Sequence, residues 1–130
     1  MKAIVIDDSR AIRTILGGML RGLGFTVEEA SNGREALMVL KANNPPQLAL
    51  LDWNMPEMNG FELLQRVRAN PAFSTMQIVM VTTETEMSQV ARALEAGANE
   101  YVMKPFTPDI IREKLEIVGV LEPAPVPAEG

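Results

Sequence analysis

The sequence predicts a doubly wound α/β fold, a parallel sheet of five strands with five helices. Three observations carry it. Five short apolar runs alternate with segments whose apolar residues recur at helical spacing. Hydrophobic residues make up 47% of the 130 residues, enough to bury the core of one domain. Four of the runs stop directly at a polar residue, as strands do when their carboxyl ends meet solvent along one edge.

The elements follow in order. Ala3-Ile4-Val5-Ile6 is apolar and β-branched and stops at Asp7-Asp8, so it reads as a buried strand. Ser9 offers an N-cap, and Ile12, Ile15, Leu16, Met19, Leu20 and Leu23 then mark one face of a helix that Gly24 closes. Gly17-Gly18 interrupts this helix and is expected to weaken it by ~1 kcal/mol per glycine. Phe25-Thr26-Val27-Glu28 alternates, as a less buried strand does. Ser31-Asn32-Gly33 opens a second helix carrying Ala36, Leu37 and Leu40, which Asn43-Asn44-Pro45-Pro46 stops. Leu48-Ala49-Leu50-Leu51 is a third strand ending at Asp52. The segment from Met55 to Gly60 is a loop, and Phe61, Leu64 and Val67 mark a third helix that ends before Asn70-Pro71. Ile78-Val79-Met80-Val81 is a fourth strand ending at Thr82-Thr83. Met87, Val90, Ala91 and Leu94 mark a fourth helix ended by Gly97. Tyr101-Val102-Met103 is a short fifth strand ending at Lys104-Pro105, and Ile111, Leu115 and Val118 mark the last helix. Residues 1–120 form the domain. The remaining stretch, 121–130, with Pro123, Pro125 and Pro127, is expected to be an extended, flexible tail. Met19, Met38 and Met87, at helical spacing, are expected to fill the core.

Composition excludes several classes of function. The chain has no Cys, so it has no disulfide, thiolate zinc site or cysteine nucleophile. It has no His, which removes imidazole catalysis, imidazole ligation and a phosphohistidine of its own. A net charge of −5 argues against direct nucleic-acid binding. The longest apolar run is Ala36–Leu40, too short to span a membrane, and no secretory signal follows Met1, so a cytoplasmic location is expected.

Chemistry must then run on carboxylates, hydroxyls and lysine, and these gather at one edge. The first, third, fourth and fifth strands deliver Asp7-Asp8, Asp52, Thr82 and Lys104 there. Each has a blander reading alone: a helix cap, a loop acid, a strand end, a solvated charge. The conjunction is the signal. Two carboxylates ~5 Å apart repel by ~3 kcal/mol at an effective dielectric near 20. A divalent cation relieves this, and all-oxygen ligands favour Mg²⁺, Mn²⁺ or Ca²⁺. Few ligands on separate strands suit Mg²⁺, which keeps waters and shares its shell with a phosphate. Three carboxylates, the metal and Lys104 cancel in charge, so a dianionic phosphoryl group meets no net repulsion. A carboxylate can itself be the nucleophile, and Asp52, alone at the end of its strand, is the best candidate. Lys104 and the Thr82 hydroxyl would hold phosphoryl oxygens.

These residues resemble the response-regulator receiver domain of two-component signalling over roughly residues 1–120. Within that family the chain is most similar to the stand-alone chemotaxis receivers, in Asp52-Trp53-Asn54-Met55-Pro56-Glu57-Met58-Asn59-Gly60 and in Lys104-Pro105-Phe106-Thr107. The resemblance implies a flavodoxin-like sheet of order 2-1-3-4-5. It implies Asp52 as phosphoacceptor, with Asp8, Asp52 and the Asn54 main-chain carbonyl as direct Mg²⁺ ligands and Asp7 acting mainly through water. It makes Lys104 a phosphoryl contact, Lys104-Pro105 a cis peptide, Thr82 and Tyr101 a switch pair, and Asn54 and Glu84 the residues that tune dephosphorylation. The implied partners are a sensor histidine kinase as donor, a phosphatase, and a target such as the flagellar motor switch. The target would be met on the face of the fourth helix, fifth strand and fifth helix, where Arg112 and Lys114 offer charged contacts. The implied state is a monomer or weak dimer without membrane insertion. Such a chain catalyses only its own phosphorylation and dephosphorylation.

Three features depart from the family's pattern. Thr83 stands where Ala or Gly is usual, and its bulk is expected to narrow access to Asp52. Gly17-Gly18 falls in a stretch that is usually glycine-free. The Pro-rich tail is longer than the compact chemotaxis form needs, either a plain tail or a stub of linker. Competing readings are a phosphorelay shuttle or the regulatory half of a larger regulator. An Asp-nucleophile phosphohydrolase would want Asp-x-Asp and a substrate-covering insert. A flavin module would want a Ser/Thr/Gly-rich phosphate loop where this chain has acids.

Overall fold

The structure is a computed structural model and describes residues 1–42, 44–83 and 88–122. Glu84, Met87 and residues 123–130 of the Pro-rich tail lie outside the described residues. The elements run β1 (Lys2–Ile6), α1 (Arg10–Gly22), β2 (Thr26–Ala30), α2 (Gly33–Ala42), β3 (Leu48–Asp52) and α3 (Gly60–Arg68). They continue with β4 (Gln77–Thr82), α4 (Val90–Glu95), β5 (Glu100–Met103) and α5 (Pro108–Ile117). All five strands are parallel, in the order β2-β1-β3-β4-β5. A parallel sheet needs cover on both faces, and the core accordingly divides in two. Ala3, Val5, Leu48, Leu50, Val79, Val81 and Val102 pack with Leu16 and Leu20 of α1 and Ile111 and Leu115 of α5. Ile4, Ile6, Leu51, Ile78 and Met80 pack with Ala36, Leu40, Leu63, Leu64, Val67 and Ala93 of α2, α3 and α4.

Local signals set the helix starts. Ser9 accepts from the Ile12 amide, and Thr107 accepts from the Ile110 amide. Asn59 and Glu62 form a reciprocal capping box at α3. Arg68, at the end of α3, donates to the carbonyls of Gly97, Phe73 and Met76 and to the Asn99 side chain. That fan binds the lower ends of β4 and β5 to α3, and burial lowers the guanidinium pKa from its ordinary value.

Several expectations are corrected. Gly17-Gly18 does not interrupt α1, which runs unbroken, because Leu16 and Leu20 on either side are fully buried and hold it. Ile15, assigned to the buried face, is 48% exposed. Met38 is 65% exposed and fills no core, while Met19 is half-buried. In α4 the sheet receives Val90 and Ala93, whereas Ala91 and Leu94 face outward. Strand β2 extends through Glu29 to Ala30, since an edge strand tolerates acids that a central one does not. A 3₁₀ turn at Pro71–Phe73, capped by Asn70, was not anticipated.

One glycine decides how closely α3 approaches the edge of the sheet. The Gly60 amide donates to the Trp53 carbonyl at 2.8 Å. A methyl group at Gly60 would fall on the Asp52 carbonyl oxygen and within 2.9 Å of Trp53 Cα. Gly18, by contrast, has open space where a methyl would sit. Gly60→Ala is therefore expected to destabilise by ~3 kcal/mol, and Gly18→Ala to stabilise by ~1 kcal/mol. Urea denaturation of the two variants checks both signs. Equal midpoints for the two would contradict this account of the helix contacts.

Candidate functional site

Because the sheet is parallel, every strand ends at the same edge, and four of them bring polar side chains there. Asp7 follows β1 and Asp52 closes β3; they are 1% and 4% exposed. Thr82 closes β4 and is equally buried, and Lys104 follows β5 half-buried. The Lys104 amide donates to the Thr82 carbonyl at 2.6 Å, which locks the ends of β4 and β5 together. The Lys104–Pro105 peptide is cis. Asp8 is exposed beside Asp7, and Asn54 is exposed two residues beyond Asp52.

Lys104 organises the centre. Its Nζ lies 3.2 Å from Asp7 Oδ2 and 3.2 Å from Asp52 Oδ1. Asp7 Oδ1 accepts the Ser9 amide at 2.8 Å, so both its oxygens are engaged. Arg13 Nη1 donates to the Asp7 carbonyl at 2.7 Å and its Nε reaches Glu29 at 3.2 Å, which steadies the β1–α1 turn. Arg13 carries no signal in the sequence, and Gly60, expected as the end of the loop after β3, instead opens α3. Arg13 sits one turn into a helix and reads as an ordinary surface cation, and only the register of β1 on β2 brings Glu29 to it. Glu57, in the loop after β3, adopts a left-handed φ of 67°, which an L-residue tolerates at some cost.

One ligand oxygen each from Asp7, Asp8 and Asp52 falls within 4.8 Å of the others. Three carboxylates at that spacing with a single ammonium carry excess negative charge. A hard divalent cation suits both the charge and the all-oxygen donor set. Burial, and after it the charge of Asp7, pushes the Asp52 carboxyl up to about 6, although Lys104 pulls the other way. Burial opposes the Lys104 ammonium, but Asp52 and Asp7 outweigh it and raise the Lys104 pKa.

Tyr101 is half-buried on the face of the sheet that carries Met80, with which it pairs in register. Thr82 is two residues beyond Met80 on the same strand, hence on the same face. Lys114 Nζ sits 4.8 Å over the Tyr101 ring and 3.3 Å from Glu100. Arg112 pairs with Glu116. The two cations expected as charged contacts on the last helix each have a pair within the fold.

The Asp52 shift fixes a sign. Folded Asp52 keeps its proton to about pH 6, whereas in the unfolded chain it ionises near ~3.9. Folding takes up a proton between these values, so this group's contribution to stability falls as pH rises from about 4 through about 6. The full loss is ~3 kcal/mol at most. Asp52→Asn is expected to remove that slope and to be more stable than the parent at pH 7.5. Urea unfolding in EDTA at pH 4.5 and pH 7.5 measures both; an unchanged slope in Asp52→Asn would count against it.

A family model described as the response regulator receiver domain matches residues 3–116. The chain is 47% identical over 119 residues to chemotaxis protein CheY1 of Helicobacter pylori, covering 91% of this chain and 96% of that protein. It is 48% identical to a chemotaxis protein CheY homolog of Campylobacter jejuni, covering 91% and 92%. Among solved structures, the chemotaxis response regulator CheY4 of Vibrio cholerae is similar with a TM-score of 0.83 at 34% identity, covering 90% of this chain and 97% of that one. The strand order, the edge to which the acids are delivered and these matches along nearly the whole chain agree, and the chain belongs to the response regulator receiver domain family.

Proposed function

We propose that the chain is a phosphorylation-driven switch in chemotaxis signalling, with Asp52 as the phosphoacceptor. The observation that carries this reading is the buried Asp52 held 3.2 Å from Lys104 and flanked by Asp7 and Asp8. The donor is the phosphohistidine of a partner histidine kinase, since the chain has no His. A carboxylate oxygen of Asp52 attacks phosphorus as the P–N bond breaks. The electron pair of the P–N bond ends on the donor nitrogen, and the imidazole takes a proton from solvent. Lys104 meets the charge on the phosphoryl oxygens. Asp8, Asp52 and the Asn54 carbonyl, with Asp7 through water, are the residues that would hold Mg²⁺. When bound, the ion would supply charge neutralisation to the transferring group. Asn54 and Glu84 would set how quickly water hydrolyses the aspartyl phosphate to the Asp52 carboxylate and inorganic phosphate.

Readout follows from Thr82 and Tyr101. A Thr82 hydroxyl that turns to the phosphoryl group makes a charge-assisted hydrogen bond worth about 1.5–3 kcal/mol. It vacates space for the Tyr101 ring, which Lys114 caps from outside. That energy shifts a two-state equilibrium roughly ten- to a hundredfold. The face of α4, β5 and α5 exposes Leu94, Met103, Ile110 and Ile117, an apolar surface for a target protein such as a flagellar motor component.

A groove of about 410 Å³ opens beside Lys104, lined by Ile12, Ile15 and Met19 of α1 and by Pro105 and Phe106. Its position at the edge of the site, and its apolar walls, suit a helix of the donor protein that carries the phosphohistidine. This gives the exposure of Ile15 a use.

Two experiments test the reading. Acetyl phosphate with Mg²⁺ is expected to add one phosphate per chain. The label should vanish in Asp52→Asn, in Asp8→Ala and in excess EDTA; retained label in Asp52→Asn would overturn the assignment. Separately, Ile15→Glu forfeits a buried aliphatic contact worth ~1.5–3 kcal/mol. It is expected to slow transfer from the phosphorylated kinase roughly tenfold or more, with acetyl phosphate labelling unchanged. Equal slowing with both donors would remove the groove from the account.

A further inference from the structure

The groove between α2 and α3 lies away from both surfaces just described, and its charge is unlike the rest of the chain. It has a volume of about 330 Å³ and is lined by Arg34, Leu37, Met38, Lys41, Met58 and Arg66. Arg34, Leu37, Met38 and Lys41 stand at i, i+3, i+4 and i+7, so they form one stripe along α2 beside the buried Ala36 and Leu40, with Leu37 itself half-buried against the core. Met38 is 65% exposed.

Among the described residues, Arg34, Lys41 and Arg66 have no ion pair, hydrogen bond or ring contact through their cationic groups. The other cations, Arg10 excepted, are engaged: Lys2, Arg13, Arg21, Lys104, Arg112 and Lys114 with acids, Arg68 with carbonyls, and Arg92 over Phe61. In a chain of net charge −5, three of its few uncommitted cations ring one hollow, whose apolar part is Leu37, Met38 and Met58. The floor is preformed. Met58 packs on Gly33, where a methyl would come within 2.6 Å of the Met58 sulfur. A second hollow of about 130 Å³ shares Arg34 and Met58 and continues the groove toward the loop after β3, where Glu57 marks its far wall.

We propose that this groove docks an acidic amphipathic helix of a protein partner, at a site separate from the α4-β5-α5 face and from the groove beside Lys104. Charge complementarity selects the partner. Arg34 and Lys41 lie seven residues apart on a helix, ~10 Å at 1.5 Å per residue. Leu37 and Met38 lie between them. The complement is an apolar side chain flanked by carboxylates two turns apart, with a third acid toward Arg66. Thioether and aliphatic side chains at the centre adapt to more than one apolar shape. The partner need not read the phosphorylation state, so docking here persists in Asp52→Asn.

The test uses the full chain, labelled with ¹⁵N, and a synthetic amphipathic helical peptide with Leu on one face and Glu on the other. A counterpart with every Glu replaced by Lys serves as control. The Glu peptide is expected to shift the amides of residues 33–42, 58 and 66. Its affinity should fall roughly tenfold or more in R34E/K41E/R66E, and again as salt is raised. Acetyl phosphate labelling of that variant should match the parent, which shows that it is folded. The proposal is overturned by shifts centred on Leu94, Met103 and Ile110, by equal affinity for the Lys peptide, or by no shift in the groove. It is also overturned, in favour of a membrane, if only vesicles containing phosphatidylglycerol bind and the triple variant releases them.

Discussion

The edge of this sheet depends on one ammonium shared between two buried carboxylates. Asp7 and Asp52 are almost wholly inaccessible, and Lys104 Nζ stands 3.2 Å from each. Without that cation the two acids would be buried charges of the same sign, an arrangement that folding resists strongly. With it, one charge is balanced and one is left over, and exposed Asp8 adds another. The site is therefore stable enough to fold and remains short of positive charge. That deficit is what a hard divalent cation would relieve, while burial first, and the charge of Asp7 after it, makes Asp52 hold its proton more tightly than a surface aspartate.

The backbone is arranged to keep this geometry. The Lys104 amide is fixed to Thr82, the Trp53 amide to the Val81 carbonyl, and the Gly60 amide to the Trp53 carbonyl. These three bonds connect β5 to β4, β4 to the end of β3, and the end of β3 to the start of α3. Asp52 sits at the middle of that chain of contacts. At the opposite end of the sheet, the Arg68 fan holds α3 against the starts of β4 and β5. The strand ends are thus tied from both directions, and the freedom left at the site belongs to side chains.

What the sequence disclosed, and what it hid, follow from how local each signal is. The strands were readable because β1, β3 and β4 are buried on both faces, which demands runs such as Ala3–Ile6 and Leu48–Leu51. The polar residues at their ends were readable for the same reason, since a polar residue closing such a run has to lie at the edge. Helix faces were less legible. Ile15, Met38 and Leu94 satisfy a helical period yet face outward, because periodicity identifies a stripe but not which of two adjacent stripes meets the sheet. The roles of Arg13 and Gly60 were not legible because they lie in partners brought close by folding: Glu29 across the sheet, and the backbone of Asp52 behind α3.

The residues that misled are also the ones that mark surfaces. An apolar side chain that the period assigns to the core but the fold leaves exposed costs nothing in the folded chain and stays available for contact. Ile15 lies in the groove beside Lys104, Met38 in the groove of α2 and α3, and Leu94 on the α4-β5-α5 face. The three lie on different helices, α1, α2 and α4, and each has a different electrostatic setting. Among the described residues, Lys104 is the only cation lining the first groove, and it is already bound to acids. The cations near the third, Arg112 and Lys114, are paired with Glu116 and Glu100. Only the second combines apolar surface with uncommitted positive charge. In the switch reading, a small domain must meet a donor, a target and further partners without their competing for one patch. Separate faces with unlike charge accomplish that, because a partner that matches one is penalised at the others by unpaired or repelled charge.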